Sequence, residues 1–451
     1  MNVLNSDIFQ HNDADPEAGF QGAALAFTGV AEKLKSVGYM TAQAGKWNAG
    51  MAHESQTPSG RGYDSSLFYF DYDTWFYNGT MYDQKKCDGG PMTDLSTSVA
   101  GSRTMPGVGL NNTWACSQNN QSPVACPHGY QDDAFIERIE EVIQNSTRSP
   151  DKPLFIFWGH HAPHDPYELA SAYWDKFPWI DIDTRRYYSG MVNYLDDNFG
   201  RLESSLRSAG RWDNTLVIVS SDNGGPADWG IRAGNNWPLR GKKSTNWQGG
   251  VRVNAFAFGG ALDPALVGTS TSQFTAIEDW WTTFALIGGA NVTDERAAAA
   301  GLPGVDGLDL RGLFLAGGNR TSPRNYVILG DSKGGMTVGN TTVGGVIRRD
   351  GWKLLVGDIG DAAFQGPIWP NKTATPSVKI DCSNGCLYNI FSDPRELVNV
   401  AASNPTIVAD LKAVIEKEKG TVWSPNRGTD DGLACKVALE QRQGFVGPFL
   451  S

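Results

Sequence analysis

Positive charge is scarce in this chain. Its 451 residues carry 38 lysines and arginines against 49 aspartates and glutamates, a net charge of −11. Proteins that hold nucleic acid present a basic surface to the phosphate backbone, so this balance excludes nucleic acid as the partner. Long apolar runs are also missing. No stretch approaches the roughly 20 residues that cross a bilayer, and Met1 opens no charged-then-apolar leader. Read literally, those two absences describe a cytosolic protein. Cysteine is sparse, with six residues and none of the C-x₂-C spacing that builds a structural zinc site. Disorder is excluded from the other side, because 15 tryptophans and only 19% charged residues make a chain that can bury a core. Its length suffices for one large core and a second, smaller one.

What is present argues against the cytosol. Eight of 28 asparagines open an N-x-[ST] sequon, at Asn78, Asn111, Asn120, Asn145, Asn291, Asn319, Asn340 and Asn371. Average composition gives roughly three or four, so the excess points to a secreted or lysosome-like protein. The even cysteine count agrees, since Cys116 with Cys126, or Cys382 with Cys386, could close small loops in an oxidising compartment.

Four segments end in chemistry. The β-branched run Thr215-Leu216-Val217-Ile218-Val219-Ser220-Ser221 stops at Asp222-Asn223-Gly224-Gly225. In open α/β sheets pockets form beyond the carboxyl ends of parallel strands, and a carboxylate beside a carboxamide there suits an oxygen-loving cation. Taken alone, that segment is an Asx-Gly turn. Its companions argue for more. Gly38-Tyr39-Met40-Thr41-Ala42-Gln43-Ala44-Gly45-Lys46 is a short strand pattern ending in a lysine, a compact charge for an oxyanion. The apolar Pro153-Leu154-Phe155-Ile156-Phe157-Trp158-Gly159 precedes His160-His161-Ala162-Pro163-His164-Asp165-Pro166, which holds three of the six histidines. Finally, Arg240-Gly241-Lys242-Lys243 lies in a basic loop rich in glycine and tryptophan. With Lys46 it forms a local cationic group that can override the acidic global charge.

In this order the segments resemble the sulfatase family of the alkaline-phosphatase superfamily, nearest in flavour to the arylsulfatase B type. The resemblance extends to Thr57-Pro58-Ser59-Gly60-Arg61-Gly62-Tyr63-Asp64, Tyr194-Leu195-Asp196-Asp197, Gly210-Arg211-Trp212-Asp213-Asn214-Thr215 and Leu387-Tyr388-Asn389-Ile390-Phe391-Ser392-Asp393-Pro394-Arg395-Glu396. It implies a sulfuric ester hydrolase in which hydrated formylglycine attacks the sulfur of a sulfate ester. By the same resemblance Lys46 and Lys243 match the lysines that hold sulfate, with Lys242 as an alternative register, and His164 matches the histidine near the leaving oxygen. All three are thus candidate catalytic and substrate-binding residues. Asp222 and Asn223 match two of the ligands of a calcium ion, and the implied partner is a sulfated small molecule or saccharide.

The chain departs from the family pattern in three ways. It has no C-x-P-x-R or S-x-P-x-R segment to become formylglycine. It has no early Asp-Asp after a first strand. The pairs Asp132-Asp133, Asp196-Asp197 and Asp430-Asp431 sit instead in a helix start, a helix interior and a loop, and read as solvated surface. Asn48 stands where most relatives have histidine, and an amide cannot shuttle a proton near neutral pH. On this reading the chain starts late, without a signal peptide and a first strand. Its loss is expected to leave neighbouring ladders unpaired and an apolar slot open. Two other readings stay open: an inactive relative that binds sulfated sugars, and a phosphoryl or phosphonate ester hydrolase of the same superfamily. Aromatics at Tyr72, Trp75, Phe76 and Tyr77 serve equally as a sugar platform or as packing.

Strand patterns over 39–44, 154–158, 216–220 and 253–258 alternate with helical ones over 30–36, 133–144, 188–208 and 276–286. That alternation predicts an α/β fold, which the resemblance refines to an alkaline-phosphatase-like sandwich: a mainly parallel sheet covered by helices. Asp350-Gly351 predicts a hairpin, and 405–419 one helix with proline in its first turn. The resemblance places both in a smaller C-terminal α+β subdomain, 316–451, after a catalytic domain over 1–315. Calcium prefers six to eight oxygens, so two side chains make a weak site. Equilibrium dialysis of the chain as written is expected to show no calcium binding at micromolar concentration.

Overall fold

The computed structural model describes residues 10–11, 22–77, 79–81, 87, 92–106, 130–226, 233–330, 343–357, 359, 362, 378, 380–421, 429–430 and 432–450. Its main sheet is built on β1 (Met40–Lys46), whose interior residues are buried on both faces, as a central strand requires. β1 pairs in parallel with β2 (Ser65–Tyr69) on one side. Antiparallel β3 (Ser96–Val99) and β4 (Met105–Pro106) extend the sheet beyond β2. On its other side β1 pairs in parallel with β5 (Leu154–Gly159) in a register that sets Gly45 opposite Gly159. Only glycine fits at position 45: its φ is +87°, and a Cβ there would lie 2.0 Å from the Gly159 carbonyl oxygen. The sheet is therefore mixed, with its three parallel strands carrying Lys46 and the histidine segment at their carboxyl ends.

Helices cover it. α1 (Val30–Lys35) lies on one face, with α2 (Gln131–Ser146) and α3 (Asp183–Ser208) on the other. Phe135, Ile139 and Ile143 recur every four residues along α2 and meet Ala44, Leu67, Leu202 and Leu206 in one buried cluster.

Among the described residues the main sheet ends at β5. β6 (Val217–Ser220) and β7 (Ala255–Phe258) form a separate antiparallel pair. Among the described residues no strand pairs with the outer edge of β5 or with the other edge of β6. Phe157 of β5 is 44% exposed and Phe256 of β7 51%. Among the described residues the ladder is thus interrupted between β5 and β6.

α4 (Gln248–Val251) follows the basic loop, and α5 (Asp279–Ile287) joins α1 on its face, where Phe284 contacts Phe155. A second sheet, wholly antiparallel, orders β8 (Tyr326–Gly330), β9 (Val343–Arg348), β10 (Trp352–Gly357) and β11 (Cys382–Asn389) consecutively. The turn between β9 and β10 places Gly351 at φ +89°, the left-handed geometry that glycine accepts without strain. α6 (Pro405–Lys419) lays Leu411 and Ile415 on Val346, Leu354 and Leu387 of this sheet. A disulfide joins Cys382 to Cys386, and a second ties Cys87 to Cys435, which the sequence had not indicated. Cys116 and Cys126 lie outside the described residues.

Two buried carboxylates serve the packing. Glu396 meets Lys353 of β10 at 2.6 Å with neither side chain exposed, and its other oxygen accepts the Gln248 backbone N–H at 2.8 Å. The pair joins the antiparallel sheet to α4. Removing one partner strands a buried charge, so Glu396→Ala is expected to cost about 3–5 kcal/mol in urea unfolding, and Lys353→Met combined with Glu396→Leu to recover most of it. Glu168 accepts the Phe76 N–H at 2.8 Å beside the aromatic cluster of Phe76, Tyr130 and Tyr194. Burial pushes its carboxyl up to about 7, against the pull of the Phe76 and Tyr77 backbone N–H groups. The unfolded chain releases that proton at about pH 4.3, so between these values the folded state binds more protons and loses stability as pH rises. Glu168→Gln should remove this slope, gaining on the order of 3 kcal/mol over wild type between about pH 5 and pH 8.

Candidate active site

Lys46 ends β1. Burial pulls its ammonium below the ordinary lysine range, the Asp222 carboxylate opposes that, Lys243 adds to it, and Asp71 and Asp73 oppose it again. The sequence-predicted cations and acid therefore act on one another across loops distant in the chain.

The three histidines after β5 occupy three environments. His160 is partly buried, its side chain 10% exposed, with Nδ1 3.0 Å from the Ala162 carbonyl and 3.3 Å from Asp132 Oδ2, and Nε2 3.3 Å from Asn198. His161 sets Nδ1 3.2 Å from Gln131 Oε1 and stacks on Phe76 with ring centroids 3.9 Å apart. Burial holds it well below its ordinary titration range. His164 is the half-exposed member. Its Nδ1 lies 2.7 Å from the Asp165 carbonyl oxygen and 3.2 Å from Asp165 Oδ1, and its Nε2 lies 3.4 Å from Lys243 Nζ.

The loop that carries them is held by the start of α2. Asp132 accepts the backbone N–H groups of His161 at 3.3 Å and Ala162 at 2.9 Å, and none of its surface is exposed. The solvated reading of the Asp132-Asp133 pair is thus corrected for Asp132, because loop amides replace its water. Asp196 and Asp197 are exposed on α3, as expected, and the Asp430 side chain and Asp431 lie outside the described residues.

Asp222 and Asn223 follow β6 directly. Gly224 donates its N–H to Gly250 at 3.0 Å, and a Cβ there would fall 1.7 Å from the Gly249 carbonyl oxygen. Lys243 donates its backbone N–H to Gly225 at 3.2 Å, and Asn236 bridges Gly225 and Gly241. These bonds fasten the acid-amide turn to the basic loop. Within that loop Lys243 reaches His164, whereas Lys242 is buried at 5% exposure. Arg240 turns away from the site: its guanidinium lies 4.2 Å above the Trp247 ring and donates to the Glu396 carbonyl. Packing on the antiparallel sheet removes it from the expected cationic group.

Asn48 has φ +42°, a left-handed conformation that asparagine tolerates, and its amide donates to the Phe70 carbonyl at 3.3 Å. Phe76, one of the candidate platform aromatics, is wholly buried. Sequence reasoning passed over Asp71 and Asp73, although Phe70-Asp71-Tyr72-Asp73 follows β2 just as Asp222 follows β6. Asp94 accepts the N–H groups of Phe70 and Asp71 at 2.8 and 2.7 Å, and so fixes that turn.

Two donor sets bear on a cation. Asp222 and Asn223 offer hard oxygens, and Asn223 spends its Nδ2 on the Gly224 carbonyl, which leaves the amide oxygen for a ligand. They fit such an ion as part of its shell, since calcium takes six to eight oxygens. Asp73, His164 and Asp165 bring one ligand atom each within 4.8 Å of one another. Both ring nitrogens of His164 are already faced, by Lys243 and by the Asp165 carbonyl, so these carboxylates compensate the lysines instead. Among the described residues no helix is long and apolar enough to cross a membrane.

A family model described as Sulfatase matches residues 2–289. Mouse arylsulfatase J is 27% identical over 398 residues, covering 84% of this chain and 60% of that protein. Human arylsulfatase A is 26% identical over 436 residues, 91% of this chain and 76% of that protein. Canine N-acetylgalactosamine-6-sulfatase is covered over 52% of its length, so the chain spans about half to three-fifths of several curated relatives it matches. The crystal structure of Ps i-CgsB in complex with k-i-k-neocarrahexaose superposes with a TM-score of 0.67 at 20% identity, covering 98% of this chain and 84% of that one. That likeness supports the fold, a mixed sheet under helices with a C-terminal antiparallel sheet, as in alkaline-phosphatase-like sulfatases. Matched by the family model over more than half its length, the chain belongs to the sulfatase family.

Proposed function

We propose that this protein is a sulfuric ester hydrolase acting on sulfated saccharides or aryl sulfates, with Lys46, His164 and Lys243 at the sulfate and Asp222 and Asn223 at a calcium ion. One observation carries the reading: the ammonium of Lys243 stands 3.4 Å from the imidazole of His164, in the same electrostatic neighbourhood as Lys46 and Asp222. Fixed cations beside a protonatable ring suit a tetrahedral anion whose alcohol must leave. Preorganised donors of this kind supply most of the stabilisation of a charged transition state.

Lys46 and Lys243 bind and orient the sulfate oxygens. Their partial burial strengthens the attraction, because neighbouring water is excluded. His164 presents Nε2 towards Lys243, and from there it donates a proton to the departing alcohol oxygen. Sulfatases generally bind a metal. Held by Asp222 and Asn223, a calcium ion supplies a further positive charge for the sulfate oxygens. Asn48, tied to Phe70, takes no part in proton transfer. The saccharide preference draws on a solved protein of the same fold held in complex with its substrate, D-glucosamine-2-N,6-O-disulfate.

A second reading is binding of sulfated sugars through Lys46, His164 and Lys243 without turnover. Calorimetric titration of the chain with a sulfated disaccharide, run beside hydrolysis of 4-nitrophenyl sulfate, separates the two. Under either reading Lys243→Met is expected to weaken binding roughly tenfold or more, as loss of a charge-assisted hydrogen bond does. Unchanged affinity in both Lys46→Met and Lys243→Met would refute the proposed site. Binding without measurable turnover supports the second reading.

A further inference from the structure

The contacts of His164 are asymmetric. Nδ1 faces oxygen only, the Asp165 carbonyl at 2.7 Å and the Asp165 carboxylate at 3.2 Å. Nε2 faces an ammonium, Lys243 Nζ at 3.4 Å. An oxygen at 2.7 Å requires a proton on Nδ1, which leaves the lone pair of the neutral ring on Nε2 for Lys243 to donate into. A second carboxylate, Asp73 from the loop after β2, closes the group, with ligand atoms of Asp73, His164 and Asp165 all within 4.8 Å.

We propose that Asp165 is a positioning residue: through its carbonyl and carboxylate it fixes His164 as the Nδ1–H tautomer and counteracts the Lys243 charge, so that Nε2 can take up the proton the leaving alcohol needs. The proposal rests on His164 standing at the leaving oxygen. In that step an oxygen nucleophile, water or a hydrated aldehyde, bonds to the sulfur as the ester S–O bond breaks, the bonding pair stays on the ester oxygen, and the imidazolium gives its Nε2 proton to that oxygen. The neutral ring keeps its Nδ1–H on Asp165. Without an anion on the Nδ1 side, an imidazolium 3.4 Å from an ammonium is strongly disfavoured.

The charges around the ring decide the sign. Burial lowers its proton affinity most, and Lys243 from the basic loop lowers it next. The Asp165 carboxylate and carbonyl raise it, and Lys46 at the end of β1 lowers it. Asp73 faces the ring from the loop after β2, and His161 lies on the same loop with its centroid 6.1 Å away.

Titration of the full chain with ¹⁵N-histidine, the His164 signal assigned through His164→Gln, reads tautomer and midpoint without any turnover. Wild type should show a protonated Nδ1 and a bare Nε2 when neutral. Asp165→Asn should shift the His164 midpoint to lower pH, and Lys243→Met should shift it to higher pH. Asp165→Glu should lie nearer wild type than Asp165→Asn. Opposite shifts support the proposal. An Nε2–H tautomer in wild type, or a midpoint unmoved by Asp165→Asn while Lys243→Met moves it, would overturn it. Should Asp165→Asn fail to fold, the wild-type tautomer and Asp165→Glu still decide. In a preparation that hydrolyses 4-nitrophenyl sulfate, Asp165→Asn should lower kcat at neutral pH by roughly tenfold with KM within about twofold, the signature of a weakened general acid. An inactive preparation bears on the proposed function alone and leaves the titration valid.

Discussion

Two places where glycine backbones touch govern where the charged side chains of the site can stand. At the first, Gly45 of β1 approaches the Gly159 carbonyl of β5 so closely that a Cβ on residue 45 would sit 2.0 Å from its oxygen. At the second, Gly224 abuts the Gly249 carbonyl with room for no side chain at all. Packed backbones do not dilate to admit a methyl group. The first contact sets Lys46 beside the histidine loop, and the second sets Asp222 beside the loop of Lys243. The site is therefore a meeting of two clamps, each a property of backbone and glycine.

Burial of charge then fixes the loops between the clamps. An ionised group taken out of water must be met by opposite charge or hydrogen bonds. Asp132 meets the amides of His161 and Ala162, and so holds the histidine segment at the start of α2. Glu396 meets Lys353 and the Gln248 amide, and its carbonyl meets Arg240, so the antiparallel sheet holds the basic loop from behind. The two sheets are linked through the site by these carboxylates.

The net charge of −11 and the cationic site are compatible because of distance. Salt screens charges beyond about 10 Å, whereas Lys243 stands 3.4 Å from His164 and both interact electrostatically with partly buried Lys46. Asp71 and Asp73 act on Lys46 and Asp165 acts on His164, so the positive charges of the site are partly compensated.

Much of this was legible in linear order. Helices at Val30–Lys35 and Pro405–Lys419, the Asp350-Gly351 hairpin and the strand ending at Lys46 lie where periodicity and turn chemistry place them, because those signals act over a few neighbouring residues. The resemblance also marked Lys46, His164, Lys243 and Asp222. Local pattern did not separate Lys243 from Lys242, send Arg240 towards Trp247, bury Asp132, or pair Cys87 with Cys435. Nor did it enlist Asp71 and Asp73. Each of those depends on which distant backbone arrives opposite the side chain. Sequence alone determined which residues can carry charge, turn the chain or tolerate a left-handed φ. Tertiary structure decided which charges face one another, since Coulomb energy and desolvation depend on separation in space and not along the chain.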